Sequence, residues 1–295
     1  MKILAADIGG TTTKMAICNE TGELEQFREY DTESVKGGPY VIEKLITQLA
    51  EYEGYDAIGI STAGQVDIEQ GSIRYANENI PNYTGMRVEQ LVSDKLCKPV
   101  KIENDVNAAA LGEMQFGAAK PYHDFLCLTF GTGIGGAIVL NRSIYRGANG
   151  SAAEFGHMFT HPLRDQQELG RLPYYERYAS TTALVAEALK VNSSCNSGRN
   201  FFQMLKNGHA ELEPVLVQWI EEVAAGLASL IHIFNPPAII VGGGVMEQDE
   251  LVKLVEAETK KLIMSSFANV AIKKASLGNK AGLLGAASLF IRQSC

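Results

Sequence analysis

The sequence is poor in the residues that would announce a metal scaffold, a secreted domain, a membrane span or a nucleic-acid groove. Cysteine is scarce: five in 295 residues (Cys18, Cys97, Cys127, Cys195 and Cys295), odd in number and far apart. No CxxC pair occurs, which argues against a disulfide framework and against a cysteine zinc site. Lys and Arg total 26 against 34 Asp and Glu, for a formal net charge of −8, and they form no dense block. A nucleic-acid groove needs clustered cations, so that class of partner is disfavoured. No apolar run approaches the roughly 20 residues of a bilayer span. The opening "MKILAADIGG" is too short and too soon acidic for a secretory leader. No GxxxxGK[ST] motif is present, so a P-loop is excluded. These absences predict a cytoplasmic, reducing environment with neither nucleic acid nor membrane as partner.

What is present is ordinary in bulk and specific in pattern. Hydrophobic residues make up 46% and charged residues 20%, as in soluble globular proteins. The length suits two domains. "KILAAD" reads as a strand, "IGGTTT" as a turn and "KMAICN" as a return strand, with "EQFREYDT" a third strand. "GPYVIEKLITQLAEYEG" has helical apolar spacing at Val41, Leu45, Ile46 and Leu49. The strand "DAIGIST", the helix "MRVEQLVSDKLC", the strand "VKIE" and the helix "NAAALGEMQFG" follow. Then the pattern restarts: "DFLCLTF" is a strand, "GTGIGG" a turn and "AIVLN" a strand, so that Gly9 and Gly131 hold corresponding places. The long helix "VLVQWIEEVAAGLASLIHIFN", the strand "AIIVGG" and the helices "DELVKLVEAETKKLI" and "AGLLGAASLFIR" complete the chain. Strands alternating with helices after an initial hairpin, begun twice, predict an α/β fold in two related halves.

Three glycine turns and one acidic junction stand out. "DIGGTTTK", from Asp7 to Lys14, reads equally as a phosphate-binding turn and as a plain glycine hairpin. Glycines let backbone N–H groups approach a phosphate, Thr hydroxyls add donors, and a carboxylate at a strand end can hold hydrated Mg²⁺. In "GTGIGG", Gly131, Gly133 and Gly136 have GxGxxG spacing. A dinucleotide fingerprint needs a helix next, whereas the β run "AIVLN" follows, so a second phosphate hairpin fits better. "VGGGVM" places Gly242, Gly243 and Gly244 after a strand, either as a flat bed for a base or ribose or as a tight β-to-α loop. In "VKIENDVNAAALGE", an Asn-Asp pair sits where a strand hands over to a helix. Its plain reading is an N-cap, since Asn and Asp accept hydrogen bonds from the free N–H groups of the first turn.

Taken in order, "DIGGTTTK", "IENDVNAAALGE", "LTFGTGIGGAIVLN", "GANGSAAEFGHM" and "VGGGVM" resemble the ROK family of sugar kinases, repressors and uncharacterised proteins, from residue 3 to about residue 290. The resemblance implies a two-lobed, actin-like sugar-kinase fold closing on ATP and a hexose in a cleft between the lobes. The expected partition is a smaller lobe at 1–118, joined by the C-terminal helix 281–295, and a larger lobe at 119–280. The resemblance also implies a homodimer. Repressor members carry an N-terminal helix-turn-helix domain, which is not expected here because "DIGGT" is reached by residue 7.

The resemblance places the catalytic base on Asp105 and sugar contacts on Asn104, Glu154, His157, Glu176 and Asn79. Asp7 would organise Mg²⁺ through water. Gly9, Gly10, Thr11, Thr12 and Lys14 would cradle phosphate from one lobe, Gly131, Thr132 and Gly133 from the other, and Gly242, Gly243 and Gly244 would border the adenosine of ATP. Many family members hold structural zinc through a GH…CxCGxxGC stretch. Here Gln167, Leu169 and Tyr174 stand where the cysteines belong, so no zinc site is expected. His161 then becomes an ordinary loop residue, and the loop would be fixed by packing of Leu169, Leu172, Tyr174 and Tyr175. Members without the cysteines include proteins resembling β-glucoside kinases and N-acetylmannosamine kinases. The expected activity is ATP-dependent phosphorylation of the 6-hydroxyl of glucose or a β-glucoside, with N-acetylmannosamine or a silent sugar-binding regulator as alternatives. The carboxylates Glu154 and Glu176 could suggest a glycosidase, but that chemistry does not need the phosphate turns.

Overall fold

The computed structural model describes residues 1–163 and 172–291. It contains two compact units. One comprises Met1–Pro121, Ile144–Ala152 and Asn279–Cys295, the other Tyr122–Ser143 and Ala153–Gly278.

In the first unit, β1 (Ile3–Ile8) and β2 (Thr12–Cys18) form the expected hairpin, and β3 (Leu24–Asp31) pairs with β2. They are followed by α1 (Gly38–Leu49), β4 (Ala57–Thr62), a small hairpin of β5 (Gln65–Asp67) and β6 (Ser72–Tyr75), α2 (Val88–Leu96), β7 (Val100–Asn104) and α3 (Asp105–Phe116). β4 runs parallel to β1, and β7 parallel to β4, in the order β3-β2-β1-β4-β7. The sequences ILAADI and AIGIST are buried almost throughout, as strands covered on both faces must be. The edge strand LEQFREYD is polar and mostly exposed, which keeps an unpaired edge soluble. α1 buries Val41, Ile42, Leu45 and Leu49 against Leu4, Ile17, Ile58 and Ile60.

The second unit repeats the scheme. β8 (Phe125–Phe130) and β9 (Ile134–Leu140) form an antiparallel hairpin, followed by β10 (Ser143–Ile144), α4 (Glu176–Ala179), α5 (Thr181–Val191), α6 (Gly198–Lys206), α7 (Glu213–Phe234), β11 (Ala238–Gly242), α8 (Asp249–Leu262) and β12 (Ala271–Lys274). β11 is parallel to both β8 and β12, and the order is β10-β9-β8-β11-β12. Both sheets thus have the same arrangement, and the α/β architecture in two related halves is the one expected. The small hairpin, α5, α6 and β12 were not anticipated. Ser180 and Ser197 could have signalled the two helices, since each side chain caps one of them.

α7 corrects one expectation: it is long and apolar enough to cross a membrane by length and composition. Its Trp219, Ile220, Val223, Leu227 and Ile231 instead form the core of this unit with Leu126, Leu128 and Ile239. The last helix, α9 (Ala281–Ser288), belongs to the first unit. It lies backbone-close to β4 and α3. A Cβ on Gly59 would sit 2.0 Å from the Ala286 carbonyl oxygen, and one on Gly285 would sit 1.7 Å from that of Ala108. Only glycine permits such approach, so the small residues of "AGLLGAAS" are a packing requirement.

Candidate functional site

Strand register collects acidic residues at one end of the first sheet. Asp7 of β1 lies beside Ser61 of β4, and Ser61 lies beside Glu103 of β7. The Ser61 hydroxyl donates to Asp7 Oδ1 at 2.7 Å. Lys14 faces Asp7 across the hairpin, and its amine donates to the Asn279 carbonyl at 3.1 Å. Burial raises the Asp7 carboxyl above its ordinary value, and the Ser61 hydrogen bond and the Lys14 charge oppose it. Asp105 is pushed up to about 6, first by burial and then by the like charge of Asp7. The Val106 N–H and the Asn104 amide pull the other way.

The Asn-Asp pair divides its work. Asn104 is the N-cap, and its Oδ1 accepts from the N–H groups of Val106 at 3.0 Å and Asn107 at 3.1 Å. Its Nδ2 donates to the Gly64 carbonyl at 2.9 Å and to Asp105 Oδ1 at 2.8 Å. Asp105 is therefore not the cap, although its Oδ1 also accepts the Val106 N–H at 2.9 Å. Both amide protons and both acceptor lone pairs of Asn104 are engaged. A direct sugar contact from this residue requires one of these bonds to open. The buried Glu103 beside it is paired with Arg146, a couple that the sequence reading missed. The strand VKIEN is polar at Lys101, Glu103 and Asn104 alike, so nothing local marked Glu103 as the buried charge.

The β1–β2 turn is braced by Thr32, the residue just after β3. The Thr32 N–H donates to the Thr11 carbonyl at 2.7 Å, and its hydroxyl donates to the Gly9 carbonyl at 2.7 Å. A Cβ on Gly9 would lie 2.9 Å from the Thr12 carbonyl oxygen, whereas the space beside Gly10 is open. Gly10 and Thr11 are exposed at the tip, and Thr12 begins β2. Asn79 is exposed in the loop after β6, where its N–H bonds Asn77 Oδ1 at 3.1 Å.

In the second unit the β8–β9 turn is closed by the Gly131 N–H on the Gly133 carbonyl at 2.9 Å. The Gly131 carbonyl accepts the Thr181 N–H at 3.0 Å. The space beside Gly131 is open and Thr132 is exposed. A Cβ on Gly133 would stand 2.4 Å from Glu176 Oε2, an oxygen that accepts the Ile134 N–H at 3.3 Å. Glu176, assigned from sequence to a sugar, therefore lies against the turn assigned to phosphate. Glu154 and His157 bracket a short helical turn. Their side chains are 51% and 54% exposed, with His157 Nδ1 3.6 Å from Glu154 Oε2. His157 also rests on the Tyr174 ring, with centroids 4.9 Å apart. Ala153, just before Glu154, takes a left-handed φ of 71°, a strained choice for a residue with a Cβ. In the third turn Gly243 has φ 98° and a Cβ there would lie 2.2 Å from the Phe130 carbonyl oxygen, while Gly244 faces open space.

Of the residues standing in the cysteine positions, Gln167 and Leu169 lie outside the described residues. Tyr174 forms an isolated bridge with Phe159. The Tyr175 N–H donates to the Met158 carbonyl at 2.7 Å, and its hydroxyl reaches the Val223 carbonyl at 2.8 Å. His161 is more than the ordinary loop residue expected: it stacks on Tyr178, with centroids 3.8 Å apart. Its Nε2 lies 3.4 Å from Glu222 Oε1. These contacts tie the described ends of the loop to α4 and α7. Among the described residues no group of three or more His, Cys, Asp or Glu side chains is arranged to hold a metal ion.

A family model described as the ROK family matches residues 3–293. An uncharacterised protein of Clostridium perfringens is 37% identical over 288 residues, covering 95% of this chain and 94% of its own. A β-glucoside kinase of Listeria monocytogenes is 32% identical over 300 residues, covering 99% and 98%. Among solved structures, a ROK family glucokinase from Streptomyces griseus in complex with glucose and AMPPNP superposes with a TM-score of 0.83 at 29% identity, covering 98% of this chain and 99% of its own. A putative N-acetylmannosamine kinase from Listeria monocytogenes gives 0.86 at 28%, covering 97% of each chain.

Proposed function

Because the chain belongs to the ROK family, we propose that it is an ATP-dependent hexose kinase that transfers the γ-phosphoryl group to the 6-hydroxyl of glucose or a β-glucoside. The observation that carries this reading is Asp105. It is a partly buried carboxylate at the start of a helix, oriented by Asn104 and the Val106 N–H and pushed up to about 6. A sugar hydroxyl is a weak nucleophile until its proton has an acceptor. As the bond from O6 to phosphorus forms and the bond from phosphorus to the ADP oxygen breaks, Asp105 takes that proton. A carboxyl titrating near 6 is ionised at neutral pH yet basic enough for the task.

Gly10, Gly131 and Gly244 are the turn positions with open space beside them, where the nucleotide approaches the backbone. Magnesium bound with ATP would neutralise phosphate charge during transfer. Asp7 fits it as a ligand through water, being a partly buried carboxylate that raises Asp105 by like charge and gains from a cation. Glu154 and His157 hydrogen-bond ring hydroxyls, and Glu176 serves the sugar end nearest the turn at Gly133. Asn104 holds the base and contacts sugar only by exchanging one of its present bonds.

Relatives named glucokinase and β-glucoside kinase support a bare glucose ring as acceptor. The neighbour titled a putative N-acetylmannosamine kinase supports the second reading. ADP release should be compared for glucose, cellobiose, gentiobiose and N-acetylmannosamine. Preference for one of the first three is expected. Preference for N-acetylmannosamine overturns the substrate, and sugar binding without ADP release overturns the kinase.

A further inference from the structure

Glu103 carries a buried negative charge that the phosphoryl-transfer reading does not use. Its Oε1 accepts the Asn104 backbone N–H at 2.9 Å, the Asn107 amide at 3.2 Å and Arg146 Nη1 at 3.2 Å, and its Oε2 accepts Arg146 Nη2. The guanidinium fork engages both oxygens, the strongest and most directional form of such a pair. Glu103 therefore anchors two residues of the α3 start: the cap itself, through its N–H, and Asn107 in the first turn. Those same residues bracket Asp105, whose Oδ1 is held by Asn104 and the Val106 N–H. A continuous chain of hydrogen bonds runs from Arg146 through Glu103 and Asn104 to the Asp105 carboxylate. Arg146 arrives from a segment distant in sequence that packs with this unit. That segment has a second tether, the Ser151 hydroxyl on Gln65 Oε1 at 2.8 Å.

We propose that Arg146 and Glu103 form a positioning couple that sets the orientation of the Asp105 carboxylate. The inference rests on Asp105 being the base. The charged groups around Asp105 are Asp7, with Lys14 opposite it, and the couple itself, whose two charges nearly cancel. Breaking the couple from either side leaves an uncompensated charge of opposite sign near Asp105. The two single variants should therefore move its titration in opposite directions, and Arg146→Lys, which keeps the charge without the planar fork, separates orientation from charge.

The test uses the full chain with Glu103→Gln, Arg146→Met, Arg146→Lys and the combined Glu103→Gln/Arg146→Met. The combined variant removes both charges and guards against misfolding of the singles. Each is measured twice: kcat against pH with the best acceptor sugar, and titration of the Asp105 carboxyl by carbon NMR without substrate, assigned by Asp105→Asn. The expected result is a loss of about 10- to 100-fold in kcat, the usual cost of a misplaced reacting group, with little change in KM for ATP. The Asp105 titration should rise in Arg146→Met, fall in Glu103→Gln and return close to wild type in the combined variant. Arg146→Lys should keep the titration yet lose part of kcat, because the charge remains and the fork does not. Unmoved titration in both singles, or full kcat in the combined variant, overturns the couple. Unimpaired turnover by Asp105→Asn overturns the base instead, and the NMR titration distinguishes the two failures.

Discussion

The two sheets share one strand order and begin with the same glycine hairpin, yet they treat charge in opposite ways. The first unit buries Glu103 fully and pairs it with a guanidinium, and it holds Asp7 and Asp105 partly buried: desolvation raises both, and the like charge of Asp7 raises Asp105 further. The second leaves Glu154 and His157 half in water, 51% and 54% exposed, with no comparable cost of desolvation. One scaffold thus serves two purposes. Buried acids suit proton transfer, and exposed hydrogen-bonding groups suit recognition of a hydrated sugar. The glycine turns divide in the same spirit. Gly243 is glycine because the Phe130 backbone fills the space of a Cβ, and the movable end of Glu176 fills that space at Gly133, while Gly10, Gly131 and Gly244 face open space.

The sharpest way to break this contrast is at Asp105. Asp105→Asn should cut kcat by roughly 10²- to 10⁴-fold while raising stability. The folded carboxyl titrates at about 6 against an ordinary 3.8, so the unfolded chain loses its proton first. Stability therefore declines as pH climbs from the ordinary value to about 6, and the penalty persists above that. It amounts to roughly 3 kcal/mol at about 1.4 kcal/mol per unit. Thermal unfolding at pH 8 should show the variant above wild type. A less stable variant would mean that the charge is not strained in the fold.

Next in size is the division among glycines. Gly243→Ala must hold a left-handed φ against the Phe130 carbonyl and should lose about 1–3 kcal/mol in denaturant titration. Gly244→Ala, in open space, should stay within about 0.5 kcal/mol but raise KM for ATP. Equal stability of the two would erase the distinction between packing and binding glycines.

A smaller effect concerns pH. The profile of kcat/KM should fall below an apparent pKa near 6, and Asp7→Asn should move that limb to lower pH by removing the like charge. Because the aspartates interact, the observed values belong to the pair. A limb at the ordinary carboxylate value in the wild type, or one moved upward in the variant, would contradict the electrostatics. The smallest expected effect is none: strong chelation without magnesium-dependent turnover should leave the unfolding temperature unchanged, because Tyr174 and its neighbours replace the cysteine ligands. One tightly held zinc per chain by elemental analysis would show that the loop is metal-built after all.

Local pattern made much of this legible. The doubled hairpin, the buried strands and α1, α3, α7 and α8 follow from apolar spacing and turn residues, which act over a few neighbours in the chain. The five motifs carried the family and the candidate site residues other than Asn79 and Glu176, which lie outside them. The β5–β6 hairpin, α5, α6 and the return of residues 144–152 to the first unit left no comparably strong periodic mark.

The sequence by itself determined the twice-started α/β pattern, the places of the glycine turns and the presence of an Asn-Asp pair at a helix start, because each depends on contiguous residues. Only the tertiary structure decided that Asn104 is the cap and Asp105 the strained acid, that Glu176 fills the space beside Gly133, and that Arg146 meets Glu103 across 43 residues of chain. Burial, like-charge repulsion and close backbone approach arise between strands and loops far apart in sequence. They depend on register and packing, which only the folded chain brings together.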